Sequence, residues 1–299
     1  MALCSARHAT RRLAAAAALR RPAHDISFRN VNTARRAIAT ATTAQQESRL
    51  QFGAHVEPRP AHTLLADIDL LVLDMAGTTV EEGGLVYKTL RHAIEDEGLA
   101  CTEKDMRPWH GAKKEAVIEH FATRAGVAPG AALDACVRRV GAHFEEQIEL
   151  AYFRPDSPVR PIDAGLFPWL AALRAGGVQV ALDTGYPPAI QRGLMEKLGL
   201  DAATDAAVSA YQVAQGRPYP YMIFRAMEKC NVMDVGRVAK AGDSVRDVEE
   251  GRNAGCGLVV GVLSGADGAE ALLAAGADVV VPRITDLPAV PQEAAQAQG

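Results

Sequence analysis

Residues 70–83 read LLVLDMAGTTVEEG. Four apolar residues, Leu70 to Leu73, run into Asp74, and Met75, Ala76, Gly77, Thr78 and Thr79 follow. A short unbroken apolar run stopped by a carboxylate and a glycine is the pattern of a parallel strand buried on both faces and ending at a turn. Extended upstream, it predicts a strand over Ile68–Asp74. The same form recurs at Val178–Asp183, Ala206–Ser209, Val238–Ala241, Gly257–Val262 and Asp278–Val281. Between these runs the apolar spacing is helical, over Ile162–Ala175, Pro187–Leu198, Pro220–Lys229, Ser244–Ala254 and Gly268–Ala274. Strands alternating with amphipathic helices predict an α/β fold, a parallel sheet covered on both faces.

The stretch from 84 to 161 breaks that rhythm. Leu85–Glu97, Lys113–Ala125 and Ala131–Ala151 carry helical periodicity, and no run reads as a strand. The expected organisation is a core over 66–83 and 162–290, with an all-helical cap inserted at 84–161. Such a cap can close over the sheet edge and exclude water.

The first fifty residues have a different composition. They hold nine arginines, no lysine, and only Asp25 and Glu47 as acids. A cationic, acid-poor, Ala/Ser/Thr-rich start predicts an organelle transit peptide, mitochondrial with plastid as the alternative. Residues 51–65, with Pro58 and Pro60, read as a linker, and 291–299 as a tail. Of the chain's 32 basic and 36 acidic residues, 23 and 34 lie beyond residue 50, a net charge of −11. That balance excludes an electrostatic attraction to nucleic acid or anionic membrane. No apolar run reaches the length of a membrane span. Five scattered cysteines, without CxxC spacing, predict reduced buried thiols rather than a disulfide framework or a zinc site.

In open parallel sheets, ligands bind beyond the carboxyl ends of the strands. The first strand ends at Asp74, the second at LDTGYP with Asp183, Thr184 and Gly185. GRPYPYM follows the third and supplies Arg217, and the fourth ends in AGDSVRD with Asp243 and Asp247. Singly, each is what a turn or a helix cap carries. Together they bring carboxylates, a hydroxyl and a guanidinium to one edge, and that set suits phosphoryl chemistry. Asp74 can attack phosphorus as a nucleophile. Asp74 and Asp243 can hold Mg²⁺ through oxygen ligands. Thr184 and Arg217 can hold the oxygens of the transferring group. Gly77 and the threonines after it are expected to aim backbone N–H groups at the same anion.

DMAGTT, TGY, GRPYPYM and GDSVRDVEEGRNAG resemble motifs of the haloacid dehalogenase superfamily, and more narrowly its phosphonatase branch. The resemblance spans about residues 66–285. It implies a Rossmann-like parallel-sheet core with an inserted helical cap, an aspartyl nucleophile at Asp74, and Mg²⁺ held by Asp74, the Ala76 position and Asp243, with Asp247 in support. It also implies a small phosphonate substrate and a homodimer through the cap, to which Trp109, Tyr152 and Phe153 are candidates to contribute.

Most phosphatases of that superfamily carry an acid where this chain has Ala76, to protonate a departing oxygen. Such help is worth roughly 10²–10⁴ in rate. Its absence points to a carbon leaving group, as in phosphonatases, where a lysine imine drains the electrons of the breaking P–C bond. WHGAKKEAVIEHF places Lys114 three residues after Gly111, matching the family's Gly-x-x-Lys turn. Lys113 would point about 100° away on a helix. Three positions depart from the family: Val117 where it has His, Gly84 near where it has Cys, and His110 where it usually has Met. His110 reads as a cap-surface histidine, with proton shuttling as the alternative. The expected activity is Mg²⁺-dependent hydrolysis of phosphonoacetaldehyde through Asp74 and Lys114. The alternative is hydrolysis of another phosphonate, or of a phosphate monoester, without imine chemistry.

Overall fold

A computed structural model describes residues 49–289. The transit segment expected over 1–50 lies outside them save for Arg49 and Leu50, and the tail expected over 291–299 lies outside them entirely. No helix among the described residues is long and apolar enough to cross a membrane.

Among the described residues nine strands form: β1 Gln51–Phe52, β2 Leu70–Asp74, β3 Val80–Glu81, β4 Arg160–Pro161, β5 Gln179–Thr184, β6 Ala206–Ser209, β7 Val238–Gly242, β8 Leu258–Val262 and β9 Val279–Val281. Seven make one sheet in the order β1-β9-β8-β7-β2-β5-β6, all parallel except β1. Every residue of β2, β7 and β8 is buried. Alternate residues serve opposite faces. Leu71 and Leu73 belong to one apolar core, Leu70 and Val72 to the other.

The helices are α1 Leu85–Asp96, α2 Glu103–Met106, α3 Lys114–Arg124, α4 Ala131–Phe153, α5 Leu166–Ala175, α6 Pro188–Leu198, α7 Leu200–Ala203, α8 Tyr221–Cys230, α9 Val245–Ala254 and α10 Ala269–Ala275. Helices α1 to α4 form the insert between β3 and β4. The helix expected from Ile162 begins only at Leu166, because Asp163 is spent bonding the Gly165 N–H and the Thr285 hydroxyl.

Two expectations are corrected. Residues 51–65 are more than a linker. Gln51 and Phe52 pair antiparallel with Val280 and Val279, and Ala61, Leu64 and Leu65 are buried. The interval 84–161 is not wholly helical either. Arg160 and Pro161 pair with Glu81 and Val80, so the two chain crossings into the insert are joined as a ribbon. Two-residue strands are too short for periodicity to register.

From β2 the chain crosses to β5 and β6 on one side, then returns to β7 on the other. The order reverses at β2, so the crevice beyond its carboxyl end is where a ligand is expected. Asp74 stands at that end.

Candidate active site

Asp74, Ala76, Thr184, Gly185, Arg217 and Asp243 line one cavity from the core side, and Val86, Tyr87, His110, Gly111 and Lys114 close it from the insert. The cavity's volume is only about 20 Å³, room for a water molecule or an ion. All the side chains expected to act are there except Asp247, which lies behind it.

Asp74 is 4% exposed, and Arg217 Nη1 meets its Oδ1 at 2.7 Å. Burial still raises the Asp74 carboxyl to about 7, against the pull of that guanidinium. Behind the pair lies a buried ionic cluster. Arg217 also contacts Asp183, and its Nε meets Asp247 Oδ1 and Glu250 Oε2, each at 3.0 Å. Lys240 Nζ lies 2.5 Å from Asp183 Oδ1, 3.2 Å from Asp247 Oδ1 and 3.3 Å from Glu250 Oε2. Against the cost of burial, Arg217 and Lys240 hold Asp183 below the ordinary carboxylate range. Burial, with Asp183 adjoining, pushes Glu250 well above it. Arg217 is therefore largely committed to carboxylates and presents only one edge to the cavity. Asp247 also closes the N-terminus of α9, exchanging hydrogen bonds with Ser244 in a capping box.

Lys240 and Glu250 escaped the sequence reading. A lysine flanked by Ala239 and Ala241 in a strand buried on both faces was the available signal, since such an ammonium must be paired.

The fit of Mg²⁺ rests on which carboxylates stay under-compensated: Asp74 meets Arg217 yet is still raised by burial, and among the described residues no cation pairs with Asp243. Oxygens of Asp74, Asp183 and Asp247 cluster within 4.8 Å, but Arg217 and Lys240 already neutralise Asp183 and Asp247. Asp243 contrasts with them. Its Oδ2 accepts the Ala266 N–H at 2.7 Å, and burial followed by repulsion from Asp74 lifts its carboxyl well above the usual range. A divalent cation between Asp74 and Asp243 would relieve that repulsion and favour both ionised forms. The residues thus fit the ion, at Asp74 and Asp243 rather than at the tighter trio.

The turn after β2 differs from expectation. The N–H of Gly77 bonds Val80 O, those of Thr78 and Thr79 bond Met75 O, and the Thr79 hydroxyl bonds Asp74 O. These donors hold the turn rather than point at an anion. Gly77 is required for another reason: at φ +85° a Cβ would lie 2.5 Å from Asp243 Oδ2.

On the insert side, Lys114 opens α3 and is 4% exposed. Its Nζ donates to Ala112 O at 3.1 Å and to Tyr87 Oη at 3.3 Å, and sits 4.5 Å from the Tyr87 ring centroid. Burial lowers the ammonium to about 8, although Asp74 pulls the other way. Lys113 instead lies over the Tyr211 ring, away from the cavity. His110 is half-buried, not a surface residue. It stacks on Tyr87 at 4.0 Å, and burial lowers it to about 4. Val117 is buried apolar packing. Tyr152, expected among interface candidates, is wholly buried, its hydroxyl bonded to Glu82 at 2.9 Å and to Tyr186 at 2.7 Å.

Insert and core meet tightly. A Cβ on Gly185 would lie 2.7 Å from Ala112 O, and one on Gly111 would lie 2.8 Å from Ser244 Oγ. Arg246 bonds Pro108 O at 3.0 Å and covers the Trp109 ring at 5.2 Å.

Residues 68–255 match the model of the haloacid dehalogenase-like hydrolases. The chain is 32% identical over 221 residues to a phosphonoacetaldehyde hydrolase from Lysinibacillus sphaericus, covering 66% of this chain and 76% of that one. Two crystal structures share the fold. A hydrolase from Pseudomonas syringae has a TM-score of 0.64 at 19% identity, over 73% of this chain and 95% of its own. A phosphonoacetaldehyde hydrolase-like protein from Oleispira antarctica has a TM-score of 0.61 at 22% identity, over 79% and 96%.

Proposed function

Because the chain belongs to the haloacid dehalogenase-like hydrolases, we propose that it cleaves the P–C bond of phosphonoacetaldehyde, with Asp74 as nucleophile and Lys114 as the imine-forming amine. The observation that carries this reading is a buried lysine, lowered to about 8, closing the same cavity that Asp74 lines. A partly neutral amine is what condensation with an aldehyde needs. Ala76, which offers no proton to a departing oxygen, lines the cavity beside them.

Lys114 Nζ condenses with the aldehyde and releases water. Asp74 then attacks phosphorus. The new O–P bond forms as P–C breaks, and the P–C pair passes into an enamine, neutralising the iminium nitrogen. Protonation at carbon and hydrolysis release acetaldehyde and restore the amine, and water cleaves the aspartyl-phosphate to phosphate. Asp74, Asp243 and the Ala76 carbonyl would hold Mg²⁺, which when bound offsets the charge between carboxylate and phosphoryl group. Thr184, Gly185 and the Nη1 edge of Arg217, shared with Asp74, line the cavity and would hold the phosphoryl oxygens.

The test is reductive trapping. With phosphonoacetaldehyde and borohydride, the expected result is a two-carbon adduct on the Lys114 peptide. Lys114→Ala is expected to lose both adduct and turnover, and Asp74→Asn to lose turnover. Absence of the adduct from active protein would transfer the assignment to another phosphonate or a phosphate monoester, the reading that Val117 and His110 favour.

A further inference from the structure

Tyr87 projects from α1 into the cavity, and no sequence argument marked it. A phenol oxygen has two acceptor lone pairs and one O–H to donate. Here the Gly111 N–H bonds the oxygen from one direction and Lys114 Nζ from another, at 3.3 Å. Both acceptor positions are filled. Among the described residues no acceptor takes the remaining O–H. The ring is held on one side by His110, stacked at an interplanar angle of 18°, and its face also carries Lys114 Nζ. The phenol is therefore fixed, with one unspent donor beside the reactive amine. Val117, one turn along α3 from Lys114, has no proton to give.

We propose that the Tyr87 hydroxyl binds the carbonyl oxygen of the aldehyde and relays the proton in the addition of Lys114. This rests on the imine reading given above. The neutral Nζ attacks the carbonyl carbon, a C–N bond forms, and the C=O π pair moves to oxygen. Tyr87 gives its proton to that oxygen and receives one from the nitrogen along the Nζ–Oη contact, so the phenol ends unchanged. Nitrogen then expels the hydroxyl. The ammonium gives its proton to water on becoming an amine, and the departing hydroxide takes one back from water. The sum is ammonium plus aldehyde giving iminium plus water. No phenolate is formed at any stage, in keeping with a burial that raises the Tyr87 hydroxyl above its ordinary range.

Tyr87→Phe keeps the ring beneath Lys114 and the stack on His110, and removes only the hydroxyl. The probe is phosphonoacetaldehyde with borohydride, timed by the mass of the Lys114 peptide, together with inhibition by inorganic phosphate and a pH profile of trapping. The expected result is trapping slowed roughly 100-fold or more, within the range for positioned proton transfer. Phosphate inhibition and the pH midpoint are expected to stay as in the wild type. Unslowed trapping in Tyr87→Phe would overturn the role of Tyr87 and leave the imine reading standing. Slowed trapping with weakened phosphate inhibition, or with the midpoint moved to ordinary lysine values, would also overturn it, since Tyr87 would then be a strut for the loop. No adduct on active wild type would overturn both readings.

Discussion

Lys114 carries a charge its surroundings disfavour, and two consequences follow from the direction of that shift. Imine formation needs the neutral amine, so its rate should rise with pH and level off around a midpoint near 8, not at the ordinary 10.5. At pH 7 about a tenth of the side chain would be neutral, against fewer than about one in a thousand for a free lysine. Stability moves in step. Between pH 8 and 10.5 the unfolded chain binds a proton that the folded chain does not, so stability rises with pH across that window. Below pH 8 the cost is present in full, of the order of 3 kcal/mol. Lys114→Met should therefore melt higher than wild type at pH 7 while losing the adduct, and calorimetry at pH 7 and pH 10.5 should show the gain shrinking. At this scale, sequence was informative where chemistry sits at a strand end. Asp74, Thr184 and Asp243 were legible because each closes or directly follows an apolar strand, and Arg217 because GRPYPYM stands in the loop between β6 and α8. Tyr87 was not, because a tyrosine on an amphipathic helix has the ordinary look of packing, and only the fold brings its hydroxyl to Gly111 and Lys114.

The β-strands and helices of the core were legible to within a few residues because their periodicity is local. The β3–β4 ribbon was not, since its pairing joins residues some eighty positions apart. The junction between α3 and the β5–α6 turn was equally hidden. Glycine in TGY reads as a turn residue, yet its structural role is to let the Ala112 carbonyl approach. Gly185→Ala would push that carbonyl back by a few tenths of an ångström or more. The expected outcome is a folded protein with a lowered melting temperature, whose kcat/KM falls at least about tenfold, since misplacement on the ångström scale is costly in catalysis. Steady-state kinetics beside a melt would check it, and unchanged kcat/KM would show that the contact is not needed for closure.

Across the molecule, the buried ionic cluster and the segment before β2 tie distant parts together. Arg217, from the loop before α8, and Lys240, from β7, hold carboxylates from β2, β5 and α9 in one group. The segment 49–65 is likewise integral. His55 bonds Asp278 at 3.1 Å, and Leu64 and Leu65 are 2% and 1% exposed. Burial of each leucine is worth about 1.5–3 kcal/mol, a large share of a typical total of about 5–15 kcal/mol. A chain beginning at residue 66 should be less stable than one beginning at residue 49 by about 3–6 kcal/mol, which urea denaturation would measure; equal midpoints would show the segment to be dispensable. The ribbon of Val80–Glu81 with Arg160–Pro161 has a mechanical consequence. Because the two strands leaving the core are bonded to each other, they bend together and resist shearing past one another. The insert is left with one easy motion, a swing about the ribbon, like a jaw on a single hinge. In such a swing Lys114 and Tyr87 would travel as one body along a fixed arc, and closing would return them to Asp74 in the same register.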